Sequence, residues 1–73
     1  MDMEERGELV RRLFAMMTGK LEDAAGAAME GQAVLDVSQI LPRASYVRSA
    51  TEEISALAQA VMAILDRDWH APG

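Results

Sequence analysis

Ile54-Ser55-Ala56-Leu57-Ala58-Gln59-Ala60-Val61-Met62-Ala63-Ile64-Leu65 is a run of twelve residues without a charge, in a chain of which 26% is Asp, Glu, Lys or Arg. Twelve residues fall short of the about 20 that span a bilayer. A helix that is apolar around most of its circumference is buried on more than one side. The whole chain has 73 residues, and a domain of that size buries only about 60% of its unfolded surface and is marginal on its own. The absence of Cys removes the disulfide staple, so self-association is the expected way to enlarge the core.

Outward from this run, Val47, Ala50, Ile54, Leu57, Val61 and Ile64 alternate in steps of three and four, with Ala58 and Leu65 widening the stripe. That is a heptad-like repeat. No glycine falls between 43 and 68, which predicts a helix over about 43–68 and a frayed tail over 69–73, where Trp69, His70, Pro72 and Gly73 follow. The back of the helix carries the short residues Ser55, Ala56, Ala60 and Ala63 beside Gln59. It is either an exposed surface of good helix formers or a second face that another helix approaches closely. Pro42 lacks an amide donor and disfavours helix at the residue before it. Residues 31–42 are therefore expected to form the connector, irregular or briefly helical through Ala33, Val34, Val37, Ile40 and Leu41.

Towards the N-terminus, a wheel of 100° per residue gathers Val10, Leu13, Phe14, Met17, Leu21, Ala24, Ala25 and Ala28 on one side. Glu4, Glu8, Arg11, Arg12, Glu22 and Glu30 lie opposite, which predicts an amphipathic helix over about 3–30. Asp2, Glu4 and Glu5 complement the positive end of its dipole. Gly7, Gly19 and Gly26 each cost up to about 1 kcal/mol relative to Ala, with any interruption expected at Thr18-Gly19. Two helices of about 25 residues are each nearly 40 Å long. A hairpin of that shape covers one face of each helix, and two hairpins complete a four-helix bundle.

The fold expected is thus all-α, a helical hairpin assembled as a dimeric four-helix bundle. Its core and self-association stripe comprises Val10, Phe14, Met17 and Leu21 from the first helix, and Val47, Ile54, Leu57, Val61 and Leu65 from the second. Ala56, Ala60, Ala63, Met16, Met29 and Trp69 are candidates for a second interface, since thioethers suit adaptable contacts and Trp is enriched in binding hot spots. Trp69 also extends the apolar stripe four residues beyond Leu65, and an aromatic at that spacing is more often a lid on the core than a partner anchor.

Little in the sequence points to chemistry. The carboxylates fall on a solvated helix face, and the serines have no histidine near them. Asp66 and His70 are spaced i,i+4, but one imidazole does not furnish the three or four ligands of a durable site, so neither metal nor cofactor is expected. The acidic opening Met-Asp-Met-Glu-Glu lacks the basic and apolar regions of a secretory signal, which predicts a cytoplasmic protein without membrane association. A net charge of −5 repels a phosphate backbone. The alternative of nucleic-acid binding would rest on Arg6, Arg11, Arg12 and Lys20, doubled in a dimer. The function expected is a non-enzymatic interaction or regulatory module that self-associates and binds a protein partner.

Overall fold

In the computed structural model, which describes residues 2–69 and the side chains of 2–66, the first helix starts where a cap is available. Asp2 is extended, and its Oδ1 accepts from the Glu5 amide at 2.7 Å while its carbonyl accepts from Arg6 N at 3.0 Å. The first bond satisfies one of the four amides that a helix start leaves orphaned, and the second is the first regular bond of the helix. Helix α1 then runs over Met3–Ala33 without a break, so the interruption expected at Thr18-Gly19 is absent. Packing of Leu13, Met17 and Ala24 along the inner side outweighs a glycine penalty of about 1 kcal/mol.

Gly19 is exposed, and no atom lies within 4 Å of where its Cβ would stand. Replacing Gly19 by Ala is therefore expected to stabilise the protein by about 0.5–1 kcal/mol. In a domain of this size that raises Tm by about 4–8 °C per kcal/mol, measured by circular dichroism. A lowered Tm would sink the assignment of an uncrowded helix interior at this point.

The connector is shorter than the sequence suggested. Helix α2 spans Val37–Trp69, so residues 34–36 replace the expected connector of 31–42, and the helix starts six residues before Arg43. Asp36 is the reason. Its Oδ1 accepts from Ser38 N at 3.0 Å, and its carbonyl accepts from Gln39 N at 2.9 Å and Ile40 N at 3.1 Å. Pro42 then falls in the second turn, where its missing donor deprives only the Ser38 carbonyl, on an exposed residue that water reaches. The Arg43 guanidinium donates to the neighbouring carbonyl, Gln39 O, at 2.8 Å.

The least exposed side chains repeat every 3.5 residues. On α1 they include Val10, Leu13, Met17, Lys20, Ala24 and Ala27; on α2 they include Ile40, Arg43, Val47, Ala50, Ile54, Leu57, Val61 and Ile64. The two helices therefore meet along one seam as an antiparallel coiled coil. Two ion pairs across it, Lys20 to Glu53 and Arg43 to Glu30, mark the register, and in both pairs the residue numbers sum to 73. Among the described residues only Met17, Ala24, Ala50 and Val61 are buried, with Ala24 and Ala50 at nearly the same level of the hairpin. The hairpin measures 54 × 24 × 13 Å, and its radius of gyration of 16.8 Å compares with about 11 Å for a compact domain of this length.

Candidate protein interface

A seam with a 3.5-residue repeat has a flanking position on each side, and in an antiparallel pair like flanks of the two helices share one face. On one side α1 contributes Phe14, Leu21 and Ala28, and α2 contributes Ala44, Thr51, Ala58 and Leu65. None of these is charged. The opposite flank holds Leu9, Met16, Asp23 and Glu30 from α1, with Tyr46, Glu53 and Ala60 from α2. Both cross-helix ion pairs lie on this second flank. The hairpin is thus a slab with one uncharged and one charged face.

The stripe expected from the sequence is divided by this geometry. Val10, Met17, Val47, Ile54, Leu57 and Val61 lie between the helices. Phe14 and Leu21, each 53% exposed, and Leu65, 48% exposed, stand on the uncharged flank. Met16, Ala56, Ala60 and Ala63 lie on or beside the other flank, in the half of the hairpin away from the connector, whereas Met29 lies on the outer surface of α1, away from the seam. The side chain of Trp69, and His70 with its i,i+4 relation to Asp66, lie outside the described residues.

Of the four candidate nucleic-acid contacts, Arg6 is half-buried at the end of the seam, and Arg11 and Arg12 are exposed on either side of the outer face of α1. Lys20 occupies a seam position and is held by Glu53. That hydrogen bond, reinforced by the Glu53 charge, raises the Lys20 pKa above its ordinary 10.5. A raised lysine pKa contributes stability that is complete at neutral pH and is lost only as pH climbs through the folded value. Replacing Lys20 by Leu is expected to raise stability modestly, through apolar contact along the seam. Glu53, exposed over about half its side chain, returns to water at little cost. The checks are a higher urea midpoint and a flatter stability profile above about pH 10, where the unmodified lysine begins to discharge. A midpoint that drops would assign the pair a larger role than the seam.

Beside the uncharged flank, near the connector, is an open hollow of about 400 Å³ whose wall includes Ala27, Ala28, Gly31 and Ala44. Sequence reasoning missed it, although the cluster of small residues at 24–28 was its visible signal. No described helix is long and apolar enough to cross a membrane. Comparison with known protein families, characterised proteins and solved structures finds no match. The fold and surface define the chain as an antiparallel two-helix coiled-coil hairpin with one uncovered apolar face.

Proposed function

We propose that this protein is a non-enzymatic helical interaction module, working as a homodimer of hairpins in a four-helix bundle and offering its outer surface to a protein partner. The observation that carries the reading is the surface left uncovered. The hairpin exposes 5763 Å², against about 4,400 Å² for a compact monomer of 7.9 kDa. The excess of about 1,300 Å² exceeds the roughly 800 Å² that each side of a standard stable interface contributes. Six of the eleven large apolar side chains left exposed among the described residues, namely Phe14, Leu21, Val37, Leu41, Met62 and Leu65, lie on or beside the uncharged flank.

Sedimentation equilibrium at micromolar concentration tests this. The expected mass is twice the 7.9 kDa of the chain. A monomer that unfolds cooperatively, with a Tm independent of concentration, would remove the self-association on which the proposal stands.

A further inference from the structure

We infer that the second copy covers the uncharged flank with its hairpin reversed, connector over termini, so that Leu21 meets its own counterpart at a two-fold axis and Phe14 enters the copy's hollow beside Ala28. This deepens the proposed self-association and rests on it. The hollow and the aromatic ring that fills it lie on the same face of the same chain, and both are measured from Leu21. Phe14 precedes Leu21 by seven residues and Ala28 follows it by seven, which places each about 10.5 Å from it along the helix. A two-fold axis through Leu21 exchanges the two positions, as a self-complementary interface requires.

The same operation matches the rest of the face. Because facing residues sum to 73, Leu65 lies level with residue 8, Val37 with residue 36 and Leu41 with residue 32. Reversal about residue 21 carries level 8 to level 34, so Leu65 lands between Val37 and Leu41 of the copy. Exposed apolar groups then cover one another at both ends. Thr51, level with residue 22, lies beside the axis on α2, and Ala58 falls near the copy's Ala44.

The competing arrangements do less. Hairpins pointing the same way set hollow against hollow and bring Asp2, Glu4, Glu5 and Glu8 of both copies to one end, in a chain whose net charge is already −5. Docking through the other flank, by Met16, Ala56, Ala60 and Ala63, covers half of its length and sets Asp23 and the Lys20–Glu53 and Arg43–Glu30 ion pairs in the contact, where taking charges out of water is costly.

The chain contains no cysteine, so a single Ser38→Cys substitution gives a unique spin-label site on an exposed outer position at the start of α2. Pulsed dipolar spectroscopy on the labelled protein is expected to give a separation of about 45 Å for reversed hairpins, from about 14 residues of helix on each side of the axis. Hairpins with their connectors together give about 30 Å or less, from the width of a four-helix bundle. A second pair of variants identifies the face. Thr51→Cys is expected to form an intermolecular disulfide under mild oxidation, and Ser49→Cys, on the charged flank, is not. A dimer with the short distance, or one cross-linked through Ser49→Cys alone, overturns this arrangement and leaves self-association standing. A monomer by sedimentation overturns both.

Discussion

Replacing Val61 by Asp is expected to leave the chain largely unfolded at 25 °C, the largest stability effect of any single change considered. Val61 is 5% exposed, the most buried of the four buried side chains, and the register of the hairpin sets it between Val10 and Leu13. Aspartate forfeits about 1.5 kcal/mol of valine burial and adds a carboxylate with no partner at a helix–helix contact, for a total of about 3–5 kcal/mol. A chain of this length has about 4–11 kcal/mol in all. A hairpin with four buried side chains among its described residues belongs at the lower end of that range. Loss of ellipticity at neutral pH, with no cooperative urea transition, is the expected result. Gln59→Asp, an outward change two residues away, is the control and should alter stability by less than about 0.5 kcal/mol. Equal midpoints for the two variants would mean that Val61 does not sit in the seam.

The seam of α2 was legible in the sequence because Val47, Ala50, Ile54, Leu57, Val61 and Ile64 carry the repeat in apolar residues throughout. The seam of α1 was obscured by chemistry. Lys20 occupies one of its positions and Ala24 and Ala27 two others, so a wheel drawn at 3.6 residues per turn drew Phe14 and Leu21 into the stripe beside Leu13 and Met17. The 3.5-residue period separates them, and that separation is what distinguishes the face closing the hairpin from the face left open. Lys20 is tolerated in the seam because its long stem packs there while its ammonium reaches Glu53 at the edge. The start of α2 was hidden for a different reason. Proline in isolation argues for a boundary, but a proline in the second turn loses one bond, and Asp36 had already supplied the cap. The hollow depends on how Ala27 and Ala28 of one helix stand against Ala44 of the other, a relation across the chain that no local pattern contains.

Replacing Leu21 by Glu should dissolve the dimer without unfolding the hairpin. Leu21 is half-exposed in the single chain, so glutamate there keeps its charge in water until a second copy arrives. At the two-fold axis the change counts twice: two leucines lose their mutual burial, and two carboxylates face each other in a contact that offers neither a counter-ion. A weakening of at least about 100-fold in Kd is expected, equivalent to roughly 2.7 kcal/mol. Helicity at high protein concentration should fall little. The thermal midpoint, by contrast, should drop and lose its dependence on concentration, because the stabilisation supplied by association has gone. Part of the loss should return in high salt, which screens the facing charges but not the missing apolar contact. Met29→Glu adds the same charge on the outer surface of α1, where the side chain is already 69% exposed, and should leave the mass unchanged. If Leu21→Glu sediments as the unmodified protein does, the uncharged flank is not where the copies meet. The charged flank, with its alanines in the half away from the connector, would then have to supply the contact despite Asp23 and Glu30.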